Sequence, residues 1–384
     1  MRREQLLYWI TLLETQGIGL RTARRVRESV PTWEAARECS ERSWLTLGLS
    51  PEVARSLDGA VRDARHARDV ERIETAGVRY VLDTDGEYPE LLREIATPPP
   101  VLFYHGTFAA SAAAVAVVGT RNCTAYGRRV AFDIGRALAQ SGMQTVSGLA
   151  RGVDQAAHEG ALTGPGCTVA VLGSGVDCVY PPENQKLADR IANEGGAVLS
   201  EFLPWVGPSR HHFPQRNRII SGLCRAVVVV EADRRSGSLI TAASALDQNR
   251  DVYAVPGSIF SAASRGANEL IAAGAQPLLS AQDIALQLGG SALRLGDFAL
   301  RLSEPLATTD TFVEGSPVSD TIAALRRELL RELGAGTQSS ADFLAMPAFA
   351  HLTAAELGTQ LTMLELQGLI QRGADGRFSL TGKT

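Results

Sequence analysis

The sequence predicts an α/β protein: a doubly wound parallel sheet, with a small helical domain before it and a winged-helix domain after it. Three observations carry this. Six continuous apolar runs of β-like composition stand between residues 114 and 257. Between them lie segments whose apolar residues recur at a helical period, so strands and helices alternate as a sheet covered on both faces requires. On either side the alternation stops: residues 1–75 read as helical, and residues 319–384 read as helices closed by a hairpin signal.

Taken in order, the N-terminal stretch MRREQLLYWITLLETQG has basic residues followed by an apolar run, as a signal peptide would. Glu4, Gln5, Glu14 and Gln16 interrupt it on a helical period and no small-residue cleavage site follows, so an amphipathic helix is expected. Gly17-Ile18-Gly19 and Leu47-Gly48-Leu49-Ser50-Pro51 supply turns. The first, with Thr22 and Ala23 behind it, fits a helix-hairpin-helix turn that offers backbone N–H groups to phosphate, and equally a structural corner. Within 80–288, AVAVVGT (114–120), QTVSGL (144–149), TVAVLGSG (168–175), GAVLSEF (196–202), AVVVVEA (226–232) and DVYAVPG (251–257) read as buried strands. YGRRVAFDIGRALAQSG, VDQAAHEGALTG, PENQKLADRIANEG, FPQRNRIISGL and LITAASALDQNR supply the helices between them, which completes a Rossmann-like core. Residues 289–318, rich in Ser, Thr, Pro and Glu, read as a linker. The tail resumes with TIAALRRELLREL and a further helical stretch ending at Gly368. Asp375-Gly376 then marks the tip of a hairpin, which suggests a small winged-helix module.

Bulk composition narrows the class. A chain of 384 residues with a net charge of −4 is not a generally basic nucleic-acid protein, although a local basic groove depends only on where charges sit. No apolar stretch approaches the roughly 20 residues needed to span a bilayer, so no membrane span is expected. Cys39, Cys123, Cys167, Cys178 and Cys224 form no C-x-x-C and no Cys/His cluster at metal spacing. Their odd count and scatter fit a reducing cytoplasm, with no metal and no cofactor. One local feature stands out. From Phe202 to Val230 there is no Asp or Glu, so Arg210, Arg216, Arg218 and Arg225 stand unopposed along the sequence.

In an open parallel sheet, ligands bind where strands end and the chain turns into the next helix. Those turns here are GTRNCTAYG (119–127), SGLARGVD (147–154), GSGVDCVYPPEN (173–184), EFLPWVGPSRHHFPQRN (201–217, leading into Arg218), EADRRSGSLI (231–240) and PGSIFSAASRGAN (257–268). They place Arg121, Arg151, Arg216, Arg218, Arg234, Arg235 and Arg265 on one rim, among glycines and helix N-termini that also favour anions. Phe213, beside Pro214 and the arginines, is the aromatic best placed to stack on a base; Trp205 and Tyr126 are weaker candidates. Standard nucleotide signatures fail. There is no G-x-x-x-x-G-K-[ST], and Gly173-Ser174-Gly175 has Cys178 where a third glycine belongs. No G-x-S-x-G elbow and no supported Ser/His/Asp set is present, and His211 and His212 have no partner cluster. Asp154, Asp177 and Glu231 share the rim; carboxylates in such places more often anchor loops through backbone N–H groups than act as acids or bases.

The ordered motifs of the middle domain resemble the DNA processing protein A family, also called DprA or Smf. They are Val117-Val118-Gly119-Thr120-Arg121 with Tyr126-Gly127, Ser147-Gly148-Leu149-Ala150-Arg151-Gly152-Val153-Asp154, AVLGSGVDCVYPPEN, FPQRNRIISGL, SGSLITA, AVPG and Gly266-Ala267-Asn268-Glu269-Leu270-Ile271. The resemblance implies a protein without catalytic activity that binds single-stranded DNA entering during natural transformation. It further implies a homodimer, RecA as the recombinase loaded onto that DNA, and a single-strand binding protein as a further partner. Matching motif to motif, it assigns DNA contact to Gly119, Thr120, Arg121, Phe213, Arg216, Asn217, Arg218, Gly266 and Asn268, with Arg151, Ser236 and Gly237 added. Relatives carry Lys at some pocket positions, whereas this chain has only Lys186 and Lys383, so Arg takes that role. The main alternative is an enzyme, since the same core resembles LOG-type nucleotide phosphoribohydrolases. Their P-G-G-x-G-T-x-x-E motif is absent, and the counterpart segment Arg235–Ala242 has no carboxylate. A ligand sensor reading duplex promoters through its winged helix is a third reading.

Overall fold

The computed structural model describes residues 2–288, apart from Ala110, Ala112 and Gly166, and parts of 329–381. The chain divides into two compact units, Met1–Arg294 and Leu295–Thr384.

The first unit opens with a helical layer: α1 Arg2–Glu14, α2 Leu20–Ser29, α3 Trp33–Glu38, α4 Glu41–Thr46, α5 Pro51–Arg62 and α6 Arg65–Thr75. Local chemistry fixes these boundaries. Thr32 accepts a hydrogen bond from the Ala35 N–H at 3.1 Å, and Ser50 caps α5, which begins with Pro51. The helix expected to be amphipathic, α1, is instead the hub of the layer. Tyr8 through Leu12 are buried without a break, because the other helices wrap it and leave only its ends to water. The layer then docks on the sheet through Val101, Phe103, Val176 and Leu203, and Arg24 pairs with Asp83 at 3.0 Å.

The sheet comprises β1 Arg79–Leu82, β2 Val101–Gly106, β3 Ala114–Val118, β4 Gln144–Ser147, β5 Thr168–Val171, β6 Ala197–Ser200, β7 Ala226–Val229, β8 Asp251–Ala254 and β9 Gln276–Pro277. Their order is β1-β2-β6-β5-β4-β3-β7-β8-β9. Strands β3 to β9 run parallel, while β1 and β2 extend one edge antiparallel. The six runs read from the sequence are β3 to β8, and the sequence reading lacked β1, β2 and β9.

Between the strands lie α7 Glu90–Arg93, α8 Ala125–Gln140, α9 Val153–Ala161, α10 Gln185–Asn193, α11 His212–Gly222, α12 Ser238–Asp247 and α13 Arg265–Ala272, with α14 Asp283–Leu288 at the end. The period of two along β3 sorts them into layers. Val115 and Val117 pack on Ile134 and Leu138 of α8 and Ala156 of α9. Ala114, Ala116 and Val118 pack on Ile219 and Ile220 of α11 and Ala242 of α12. The chain therefore winds outward from β3 to β6, crosses back, and resumes at β7 on the other side of β3. That reversal is the switch point at which an open sheet parts its helices and leaves a crevice.

In the second unit, Leu329, Leu333, Phe343, Phe349, Leu357, Leu361, Leu364, Ile370 and Phe378 form a core. It includes α15 Ser340–Leu344 and the antiparallel pair β10 Ile370–Arg372 and β11 Phe378–Leu380. The expected linker 289–318, Gly368 and the hairpin tip Asp375-Gly376 lie outside the described residues. Among the described residues no helix is long and apolar enough to cross a membrane.

Candidate nucleic-acid interface

The crevice is built from turns fastened to one another. Gly119 ends β3 so tightly packed that a Cβ there would come within 2.6 Å of Val153 Cγ2. The Thr120 N–H donates to the Glu231 carbonyl at 2.7 Å, joining the ends of β3 and β7. The buried Glu231 carboxylate accepts from the Thr124 N–H at 2.8 Å and from the Thr124 hydroxyl at 2.6 Å. Thr124 in turn caps α8, accepting from the Gly127 N–H at 3.1 Å. Asp154 does the same for the turn after β4, accepting from the Gly148 N–H at 3.1 Å. Leu149 in that turn is held in the left-handed region at φ 55, and its carbonyl accepts from the Asn184 amide at 2.9 Å. Both carboxylates thus serve as loop anchors.

These turns enclose a cavity of about 620 Å³. Gly119, Thr120, Arg121, Phe213, Arg216, Asn217, Ser236 and Gly237 all line it, so one hollow gathers segments more than 100 residues apart. The Phe213 ring lies against Tyr180, centroids 5.6 Å apart, with the Arg121 guanidinium carbon 5.3 Å from its centre. Across the cavity the N-terminus of α12 presents Ser236 and Ser238, whose hydroxyl oxygens are 2.7 Å apart. The Asn217 amide donates to the Gly237 carbonyl at 3.3 Å and ties the two walls together. Arg210, Tyr180 and the exposed Ile240, all outside the motif-matched contact set, also line the cavity. Arg210 was legible as part of the acid-free window.

The arginines sort differently from the sequence expectation. Arg216, expected on the surface, is buried at 4% exposure. Its Nη1 donates to the carbonyls of Gly148, at 2.8 Å, and Val171. Burial pushes its pKa down to about 10 against the pull of the Asp154 carboxylate. Arg218 is not unopposed: its Nη2 donates to Glu201 Oε2 at 2.5 Å in a largely buried pair. Arg151 pairs with Glu183 beside a small cleft shared with Arg121 and Phe213. Arg234 pairs with Glu269 at 2.5 Å. Arg225 precedes β7 and so stands at the opposite, amino edge of the sheet. Gly266 and Asn268 do not line the cavity. The Gly266 N–H donates to the Ala232 carbonyl at 2.7 Å, and the Asn268 side chain exchanges two hydrogen bonds with the Gly257 backbone, at 3.0 and 3.1 Å. They clamp the neighbouring loops. Trp205 is covered by Arg72, 4.1 Å above its ring, which takes it out of the crevice. What remains is Arg121 and Arg210, exposed, lining the cavity and without an ion pair among the described residues.

Comparison with known proteins converges on one family. Residues 79–289 match the family model for DNA recombination-mediator protein A. The chain is 36% identical over 295 residues to the protein Smf of Synechocystis, covering 75% of this chain and 74% of that one. The crystal structure of DNA processing protein A from Streptococcus pneumoniae superposes with a TM-score of 0.62 at 36% identity, covering 72% of this chain and 96% of that one. A Helicobacter pylori DNA processing protein A, described for its single-stranded DNA binding mode, superposes with a TM-score of 0.50 at 30% identity, covering 56% of this chain and 97% of its own.

Proposed function

The chain belongs to the DNA recombination-mediator protein A family, and from that premise we propose that it binds single-stranded DNA in the crevice at the carboxyl edge of its sheet. The observation that carries the reading is the cavity itself, with Arg121, Arg210, the half-buried Phe213 ring and the N-terminus of α12 turned toward one hollow. Phosphates sit on the arginine forks and at the helix N-terminus, which gives affinity with a salt slope and little dependence on sequence. A base stacks on Phe213, since every base offers a π-face. Arg216, Arg218, Gly266 and Asn268 serve the interface indirectly, by holding its walls.

In the same reading the protein acts in the cytoplasm on DNA taken up during natural transformation. A homodimer holds one strand at two crevices and gains avidity. RecA and a single-strand binding protein are its protein partners, and loading RecA is its task; these follow from the family. Residues 1–75 form the helical domain, 80–288 the core and 319–384 the winged-helix domain beyond the linker, with the last free to add duplex or protein contacts. Binding rather than catalysis is favoured because the buried crevice carboxylates, Asp154 and Glu231, are already committed to backbone and hydroxyl donors.

The test is fluorescence anisotropy of a labelled oligo-dT at two salt concentrations, comparing the wild type with Arg121→Ala/Arg210→Ala. Salt-sensitive binding lost in the folded double variant supports the crevice. Undiminished binding by that variant moves the site elsewhere. No binding by the wild type, together with release of free base from a nucleoside monophosphate, would replace this reading with the enzyme.

A further inference from the structure

Two of the arginines expected on the rim have no part in the crevice. Arg235 and Arg265 are exposed, line neither the cavity nor the small cleft beside it, and enter no ion pair among the described residues. Arg235 lies in the turn after β7, and Arg265 opens α13 beyond the turn after β8. Asp233 and Glu269, which flank them in sequence, are engaged: Asp233 accepts from the Arg234 N–H at 2.8 Å, and Glu269 pairs with Arg234. From Val252 to Asn268 there is no Asp or Glu. At the tip of that acid-free stretch stand Ile259 and Phe260, 76% and 90% exposed. The tip points outward but is not slack. The Ser261 N–H donates to the Ser258 carbonyl at 3.0 Å, and the Phe260 N–H donates to the Ser258 hydroxyl at 3.3 Å. At the base, the Tyr126 hydroxyl donates to the Pro256 carbonyl at 3.0 Å and ties the loop to the turn after β3. The Gly266 N–H ties it to Ala232, in the turn after β7.

We propose that single-stranded DNA leaving the crevice runs over the turn after β7 and stacks a further base on Phe260, with Arg235 and Arg265 on its phosphates. The inference rests on the crevice reading above and extends it. Position favours it first. Neighbouring strands lie about 4.8 Å apart, so the β8 turn is the next step along the rim from the β7 turn, whose Ser236 and Gly237 line the crevice. Charge favours it next. Cations without carboxylate partners beside an open aromatic ring suit a polyanion with stackable bases. Order favours it as well, because a ring on an anchored loop loses little freedom when a base settles on it. A protein partner would use Ile259 and Phe260 but would leave the two arginines unexplained.

The test compares labelled oligo-dT of about 4 and about 20 nucleotides, the first short enough for the crevice alone. Phe260→Ala is expected to leave the short oligonucleotide unaffected and to weaken the long one roughly five- to hundred-fold, the worth of one stacked base. Arg235→Ala/Arg265→Ala is expected to lower the salt slope for the long oligonucleotide by about 1.4, the contribution of two single-strand phosphates. Phe260→Trp is expected to keep wild-type affinity and to add fluorescence that the long oligonucleotide quenches. All three side chains are exposed, so thermal unfolding should match the wild type in every variant. Undiminished binding of the long oligonucleotide by Phe260→Ala, equal losses on both lengths, or unquenched fluorescence in Phe260→Trp would each overturn the inference and leave the crevice in place. Self-association of the wild type that Phe260→Ala abolishes, with DNA binding intact, would assign the loop to a contact between copies instead. A wild type that binds neither length would remove the crevice reading and this inference together.

Discussion

Arg121 holds its guanidinium carbon 5.3 Å from the centre of the Phe213 ring, and the two residues come from opposite halves of the doubly wound sheet. Arg121 belongs to the turn after β3 and Phe213 to the first turn of α11, which leads into β7. The contact therefore bridges the switch point. In the proposed binding mode the pair would share labour, the ring stacking a base and the guanidinium forking onto the phosphate beside it.

That division can be separated experimentally. Base stacking is worth about 1–3 kcal/mol, so Phe213→Ala should weaken oligo-dT binding by roughly five- to hundred-fold with little change in salt slope. Arg121→Ala should instead lower the slope of log affinity against log salt by about 0.7, the contribution of one single-strand phosphate. Anisotropy titrations across a salt series read both quantities. A Phe213 variant that flattens the slope, paired with an Arg121 variant that does not, would reverse the roles.

Arg216 should behave as a stability residue. Its removal leaves the buried Asp154 carboxylate without its neighbouring cation and frees the carbonyls of Gly148 and Val171. Each buried carbonyl left without its donor costs about 1–3 kcal/mol. Denaturant unfolding of Arg216→Ala should show a loss of that order, where Arg121→Ala shows almost none. An Arg216→Ala protein with wild-type stability and defective DNA binding would return this residue to the contact surface.

The contrast between these arginines marks where sequence reading stops. The strands β3 to β8 were legible because each is a continuous apolar run buried on both faces, as with AVVVV before Glu231. The crevice followed from the same rule, since turns after parallel strands converge. β1 and β9 were not legible: RYVL is only half buried and β9 is two residues at the sheet edge, so neither has the apolar signal of an inner strand. Nor could sequence tell which arginine faces inward. Arg218 pairs with Glu201, just outside the acid-free window, and Arg216 lies buried in the field of Asp154, on α9. Only the fold brings those carboxylates alongside.

Gly127 is expected to be irreplaceable for a local steric reason. A Cβ at this position would sit 2.3 Å from Glu231 Oε2. Glu231 cannot step aside without releasing both of its bonds to Thr124. Gly127→Ala should therefore destabilise the protein by about 1–3 kcal/mol, the usual range for overpacking. Unfolding midpoints of Gly127→Ala and Thr124→Val, measured singly and together, test whether the two changes strike one network. Full additivity would argue that they do not.

Acid sensitivity should trace to His158. This residue is fully buried on α9, and its Nδ1 lies 2.7 Å from Thr168 Oγ1. Thr168 spends its proton on the Thr145 carbonyl at 2.8 Å, so Nδ1 carries the hydrogen and Nε2 is left bare and unpartnered. Burial first, and the Arg216 charge second, push the pKa from 6.5 down to about 3. Below pH 6.5 the unfolded chain takes up a proton that the native histidine refuses. Stability from this group is thus intact above 6.5 and falls as the pH drops toward 3, by at most about 1.4 kcal/mol per pH unit. Asp154, whose pKa is raised by burial, works in the opposite sense: its native carboxyl holds a proton at a pH where the unfolded one has lost it. The observable is therefore a difference. Unfolding free energies of the wild type and His158→Gln, measured between pH 6.5 and about 5, should diverge, with the variant showing the flatter acid slope. Parallel curves would mean that His158 takes up its proton without leaving the native fold.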